Sequence, residues 1–150
     1  RARRQGRLHR VEHAVVGAPA QRPWPAFPAG RLGGASRLND RRRVERILVN
    51  LLENARDHAK GATRVTLNSE ATKFTLAVHD AGPGVPASER AQIFDRFARG
   101  TASRNGKGSG LGLAIVNEHA RALHGAVHVE QSLEGGSSFV ITFPKNEDQA

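Results

Sequence analysis

The chain has 150 residues, of which 38% are apolar and only 5% aromatic, and it contains no cysteine. That length suits one domain able to bury roughly 70% of its unfolded surface, and the missing thiols exclude disulfides and thiolate metal sites. With 23 basic against 14 acidic residues the net charge is +9, which favours anionic partners such as nucleotides, nucleic acid, acidic proteins or membrane surfaces.

No apolar run approaches the roughly 20 residues of a membrane span. No apolar stretch follows the basic start as it would in a signal peptide, so a cytoplasmic domain is expected. The arginines gather at 1–7 (RARRQGR), 41–46 (RRRVER) and 90–104. A solvated basic surface accounts for the first cluster. Nucleic-acid binding finds no support in aromatic interleaving or a helix-turn-helix pattern.

In chain order, residues 1–39 are basic and rich in Pro and Gly. The stretch PAQRPWPAFPAG (19–30) is expected to be irregular or extended, while 7–16 suit a short strand or a short helix. From Asp40 the pattern becomes regular. Val44, Ile47, Leu48, Leu51, Leu52 and Ala55 fall on one helical face, which predicts an amphipathic helix over 40–59 with Asp40 as N-cap and Gly61 as stop. Strands are predicted at 63–69 (TRVTLNS) and 73–79 (KFTLAVH), joined by a hairpin turn around Glu70–Thr72. DAGPGVP (80–86) is a loop, and 87–97 suit a short helix capped by Ser88. Residues 98–110 are expected to be a mobile loop, and 111–124 a second long helix with Leu113, Val116, Ala120 and Leu123 on one face, stopped by Gly125. Two strands, 126–132 and 138–143, close the pattern around LEGG (133–136). The expected architecture is an α/β two-layer sandwich, a mixed and mostly antiparallel sheet with helices packed on one face.

Three stretches carry chemistry. Asn50 and Asn54 are one helical turn apart on one face. An Asn carbonyl oxygen is a hard ligand suited to Mg²⁺, and a pair of core-edge amides is the plain alternative. Asp80 follows a strand and opens DAGPGVP. Its carboxylate accepts hydrogen bonds only, which suits an exocyclic amine such as that of adenine, and the glycines let backbone approach a flat ligand. A simple Pro-Gly turn is the alternative here. In GKGSGLGL (106–113) the glycines present successive N–H groups at a helix start, an anion nest to which Lys107 adds a mobile charge. No strand precedes these glycines as a dinucleotide-binding fold requires, and the spacing is not that of a Walker loop.

These stretches, in this order, resemble the ATPase domain shared by histidine kinases, heat-shock chaperone ATPases, gyrase-type topoisomerases and mismatch-repair ATPases. The resemblance covers 40–144. NLLENA (50–55) is similar to the N box, DAGPGVP to the first glycine box, GSGLGLAIV (108–116) to the second, and GGSSFVITFP (135–144) to the last glycine/serine box with its closing strand. IFDRFARG (93–100) resembles the F box, which selects histidine kinases within the group. The resemblance implies the Bergerat-type ATPase fold, with a domain over 40–146, and it implies Mg²⁺ and ATP as ligands. Asn54 would coordinate Mg²⁺ and Asn50 would support it and the phosphates. Asp80 would bind the adenine amine, Gly82, Gly84 and Val85 would line the base pocket, and Arg99 would reach the γ-phosphate. Lys107, Gly108, Ser109, Gly110, Leu111, Gly112 and Leu113 would cradle phosphates at the helix start. Ser138 would close the adenine side, and Phe94 and Phe97 would anchor the lid base on the core.

The N box departs from the family after Asn54. Where Lys and Tyr are usual, this chain has Asp57 and His58. A carboxylate there repels phosphates unless Arg56 or the metal compensates, while His58 can still stack or donate a bond. None of the seven histidines has the Glu-aliphatic-Arg-Pro-type sequel of a family phosphoacceptor. The implied activity is therefore transfer of the γ-phosphoryl group to a histidine on a phosphoacceptor domain, in cis or in trans, and onward to a response regulator. An anti-sigma-type serine kinase and a non-catalytic nucleotide-binding module are the alternatives.

Overall fold

A computed structural model describes residues 9–13, 36–98 and 110–145. Its elements are strand β1 (His9–His13), helix α1 (Ser36–Ala59), strands β2 (Ala62–Ser69) and β3 (Lys73–Asp80), a 3₁₀ turn (Gln92–Phe94), helix α2 (Gly112–Ala122), and strands β4 (Ala126–Gln131) and β5 (Ser137–Pro144). The five strands form one sheet in the order β1-β2-β3-β5-β4. Every pairing among them is antiparallel, so the parallel component that the sequence allowed is not used.

Alternation in the central strands decides which face is covered. Leu76 and Val78 of β3, Phe139 and Ile141 of β5 and Val129 of β4 point the same way, and all are buried. Ile47, Leu48 and Leu51 of α1 and Val116 and Ala120 of α2 close over them as one apolar cluster. Burying a side chain of this size removes enough apolar surface to contribute about 1.5–3 kcal/mol each, so both helices are held chiefly by this face.

Both helix stops fall where glycine was expected. Lys60 and His124 take left-handed conformations (φ 61° and 57°), and the next residue folds back: the Gly61 N–H donates to the Ala55 carbonyl at 2.9 Å and the Gly125 N–H to Ala120 at 2.8 Å. At Gly125 glycine is also needed for space, since a Cβ would stand 2.5 Å from the Thr142 carbonyl oxygen. The expected turn over Glu70–Thr72 is closed by the Glu70 N–H donating to Lys73.

Three local expectations are corrected. Helix α1 begins at Ser36, so Asp40 lies inside it and is not its N-cap; no Gly or Pro interrupts 36–40. Residues 87–97 form no α-helix. They run as turns closed by short-range bonds, Glu89 N–H to Pro86 and Gln92 N–H to Glu89, into the 3₁₀ turn. Ser88 lies within the first of these turns and caps nothing. Ile93 and Phe94 are buried there, with the Phe94 ring edge-on to Phe139, centroids 6.4 Å apart. Phe97, expected as a second anchor, is 72% exposed. Its backbone is left-handed (φ 62°) and its N–H is spent on the Gly110 carbonyl at 3.0 Å, a local geometry that accompanies an outward side chain.

Candidate nucleotide site

The site is assembled where the C-terminal half of α1, the loop after β3, the start of α2 and the β4–β5 turn converge. Asn50 lies on the flank of α1 that faces α2. Its Nδ2 donates to the Arg46 carbonyl at 2.8 Å. Its Oδ1 lies 3.3 Å from where a Cβ on Gly112 would stand. Glycine at the first position of α2 therefore lets the helix start reach this amide. One turn on, Asn54 is half-buried, and its side chain makes no hydrogen bond among the described residues. A half-buried amide with open valence, stacked below a fixed one, is a donor set that fits a hard divalent cation.

Asp57 continues the same flank at the surface. Arg56 Nε meets its Oδ1 at 3.1 Å, with both side chains largely exposed. An exposed pair between neighbours contributes little to stability, but it sets a cation beside the carboxylate that departs from the family pattern. His58 is half-buried on the last turn.

The loop after β3 is packed too tightly for side chains at two points. A Cβ on Gly82 would stand 2.6 Å from the Ala59 Cβ, and one on Gly136 would stand 2.3 Å from the Asp80 carbonyl oxygen. Such contacts are possible only for glycine. They clamp Asp80 between α1 and the β4–β5 turn, leaving it 4% exposed. Its Oδ1 accepts two backbone bonds, from Gly82 N–H at 2.9 Å and from Ser137 N–H at 3.0 Å. Gly84 follows with φ +77°, and the Val85 carbonyl accepts a bond from Arg90 Nε at 3.1 Å. A cleft of about 240 Å³ lies between this loop and the β4–β5 turn, bordered by Gly84, Val85, Arg90, Gln131 and Gly136. Neither asparagine nor Asp80 borders it.

Helix α2 starts without a side-chain cap; Leu111 occupies the N-cap position and no acidic residue sits in the first turn. Its N–H groups therefore present the positive end of the helix without an internal anion. Gly110 precedes it at φ +71°, packed so closely on Phe97 that a Cβ would lie 2.9 Å from the Phe97 Cα. Leu113 is half-buried against the core. Arg99, Lys107, Gly108 and Ser109 lie outside the described residues.

Ser138 is not beside Asp80. It is paired with His79 across the β3–β5 ladder, and its Oγ lies 2.7 Å from His79 Nδ1 on the face away from the helices. The residue beside Asp80 is Ser137, buried on the core face. Strand alternation carried the signal: Ser137, Phe139 and Ile141 are two apart, and the last two are obvious core residues. His79 and Arg90 were also missed, because neither belongs to a recognisable motif.

On the outer face the His79 ring has a lowered pKa, first because burial disfavours its charged form and then because Arg64 lies close; Glu134, Glu130 and Asp80 act in the opposite direction. His119 of α2 is lowered likewise, by burial and then by Arg43 and Arg46, with Glu118 opposing. Its Nδ1 stands 3.3 Å from the Arg43 guanidinium.

An antiparallel sheet covered by helices on one face, a strand-end aspartate held by glycines, and an asparagine pair whose first member faces an uncapped helix start define an ATPase domain of the kind inferred from the sequence. Residues 39–147 match the family described as histidine kinase-, DNA gyrase B-, and HSP90-like ATPase. The chain belongs to this family, and within it to the ATP-binding catalytic domains of histidine kinases. It is 40% identical over 109 residues to the probable sensor histidine kinase TcrY of Mycobacterium tuberculosis, covering 70% of this chain and 23% of that protein. Among solved structures it resembles the mycobacterial sensor histidine kinase MprB, with 31% identity, a TM-score of 0.58 and coverage of 69% and 70% of the two chains. It also resembles full-length ShkA in complex with AMPPNP, with 34% identity, a TM-score of 0.59 and coverage of 68% and 21%. The chain spans less than a quarter of the curated relatives TcrY and AfsQ2. No helix among the described residues is long and apolar enough to cross a membrane.

Proposed function

We propose that this domain binds Mg²⁺-ATP between α1 and the start of α2 and donates the γ-phosphoryl group to a histidine on a phosphoacceptor domain, in cis or in trans, which then passes it to a response regulator. The observation that carries the reading is Asp80. Two backbone donors hold its Oδ1 in a nearly closed position, which leaves Oδ2 as the acceptor for the adenine amine. A carboxylate fixed in this way discriminates by hydrogen bonding, since a base without the donor leaves a buried acceptor unpaired.

The remaining residues divide the work of phosphoryl transfer, which rests on positioning and charge neutralisation. Gly82, Gly84 and Val85 would line the base, with Ser137 N–H holding Asp80 in place of the role expected for Ser138. Gly110, Leu111 and Gly112 would offer N–H groups and the helix dipole to the phosphates, and Leu113 would pack beneath them. Lys107, Gly108, Ser109 and Arg99 would complete the phosphate contacts from the intervening segment. Asn54, supported by Asn50, would hold Mg²⁺, which neutralises phosphate charge when bound. His58 would flank the base, and Asp57, offset by Arg56, would tune affinity. The proton acceptor for the attacking histidine would come from the phosphoacceptor side.

The test has two stages. Isothermal titration with ATP in the presence and absence of Mg²⁺ measures binding, and Asn54→Ala should remove the magnesium dependence. Radiolabelled ATP is then mixed with the chain and the helical hairpin encoded in the same or the adjacent reading frame. Acid-labile label on the hairpin is expected. Intact binding with no transfer would sink the kinase reading, and acid-stable label would identify a serine kinase.

A further inference from the structure

Resting on the assignment of Asp80 to base recognition, we propose that His79 is a positioning residue for adenine selectivity, acting from the opposite face of the sheet. His79 occupies the last rung that β3 shares with β5, opposite Ser138, and Asp80 follows it at the strand end. On the core face Asp80 Oδ1 accepts the Ser137 N–H at 3.0 Å. On the outer face the His79 Nδ1 bonds to the Ser138 Oγ at 2.7 Å. Adjacent residues of β3 are thus stapled to adjacent residues of β5 from both sides of the sheet.

The histidine is itself fixed on every side. Its Nε2 lies 3.2 Å from Thr66 Oγ1 on β2, so the ring bridges β2, β3 and β5. Its carbonyl accepts a bond from Thr63 Oγ1 at 3.2 Å. Thr63 also bonds to Glu134 of the β4–β5 turn, and Arg64 Nη2 meets the same carboxylate at 3.6 Å. Glu134 lies two residues before Gly136, the glycine that touches Asp80. Ser138, with 3% of its surface exposed, and Thr66, with 9%, are buried polar partners on this face. Buried hydroxyls of this kind hold their partners because an unmade bond costs more than a made one gains.

The consequence is geometric. A hydrogen-bond acceptor discriminates only if its direction is fixed to a fraction of an ångström. Asp80 obtains that fixity from the Gly82 and Ser137 N–H groups, and the position of Ser137 depends on the rung that His79 and Ser138 lock. Loosening the outer staple lets β5 shift against β3 and blurs the direction of Asp80 without touching the phosphate-binding end of the site.

The experiment compares affinities of the full 150-residue chain for Mg²⁺-ATP and Mg²⁺-ITP, in which a carbonyl replaces the adenine amine. The wild type should prefer ATP. His79→Ala and Ser138→Ala should each lower the ATP-to-ITP affinity ratio about fivefold, on the scale of one hydrogen bond, by weakening ATP and leaving ITP unchanged. His79→Asn, which keeps a polar atom near the Nδ1 position, should recover most of the ratio. Ser138→Ala carries the test where His79→Ala fails to fold. A wild-type ratio in both variants, or equal loss of ATP and ITP, would overturn the positioning role. A wild-type chain that binds triphosphate with no preference for ATP would instead overturn the assignment of Asp80, and this inference with it.

Discussion

Gly136 lies directly on Asp80: a Cβ at Gly136 would stand 2.4 Å from the Asp80 Oδ1 and 2.5 Å from the Gly82 nitrogen. The turn between β4 and β5 therefore fills the space behind the carboxylate with backbone alone. Gly136→Ala would force either the turn or the β3 loop to move. Overpacking of this sort costs about 1–3 kcal/mol, and ATP binding should fall by at least tenfold. Urea denaturation and nucleotide titration of the variant check both numbers.

Asp80→Asn keeps an oxygen for the two backbone donors and sets an amino group where the adenine amine would approach. Two donors then face each other in a nearly closed site. ATP affinity should drop by about 10–100-fold, corresponding to about 1.4–2.8 kcal/mol. The fold should persist, because the bonds to Gly82 and Ser137 survive. Unchanged ATP affinity would show that Asp80 does not read the base.

Both lowered histidines push acid stability in one direction. His79 and His119 have folded pKa values below the ordinary 6.5, so the unfolded chain binds more protons than the folded one as pH falls past that value. Their contribution is complete above about 6.5 and is lost as pH drops through the folded values. Denaturation midpoints should fall between pH 7.5 and pH 5. A variant carrying His79→Gln and His119→Gln should lose less over the same interval. An equal loss would place the acid sensitivity elsewhere.

Phe94 and Phe97 sit three residues apart and should respond oppositely. Phe94 is buried against Phe139, so Phe94→Ala should destabilise by about 3–5 kcal/mol. Phe97 is exposed and left-handed. Phe97→Ser should change stability by less than about 0.5 kcal/mol, and Phe97→Gly should be neutral or stabilising, since glycine adopts that backbone without strain. Thermal unfolding of the three variants is sufficient to decide.

Asp57 places a carboxylate on the flank that carries Asn50 and Asn54, paired among the described residues with the exposed Arg56. Asp57→Lys should tighten ATP binding several-fold at low salt, and the gain should shrink as ionic strength rises and the Debye length contracts. An affinity indifferent to the exchange would place residue 57 away from the phosphates.

Much of the fold was legible because its signals are periodic. Val44 to Ala55 repeat at helical spacing, and Leu76, Val78, Phe139 and Ile141 alternate, so the two main helices and four of the five strands fall within a few residues of expectation. The start of α1 was misplaced because Asp40 has good capping chemistry, yet nothing in 36–40 stops a helix from running through it. The stretch 87–97 read as a helix because its composition permits one, whereas burial of Ile93 and Phe94 is satisfied by a single 3₁₀ turn. At the site, Asp80 and the glycines were legible because each answers a local demand for an acceptor or for bare backbone. Ser137 and His79 act through contacts with residues distant in sequence, which no local pattern announces, and Arg90 bonds the nearby Val85 carbonyl from outside any motif. Motif likeness points to Ser138, whereas the strand period places Ser137 on the face that carries Asp80.

The bond from Phe97 N–H to the Gly110 carbonyl ties together the two ends of the segment between them, next to the 3₁₀ turn on one side and α2 on the other. In terms of chain entropy alone a change of length between these two ends is cheap, provided that Arg99 and residues 107–109 are kept for the phosphate contacts proposed above. Loop closure costs only about 0.6 kcal/mol more for each doubling of length. The start of α2 is thereby held to the 3₁₀ turn by main chain alone, beside a site where Gly82 and Gly136 leave no room for an added methyl group.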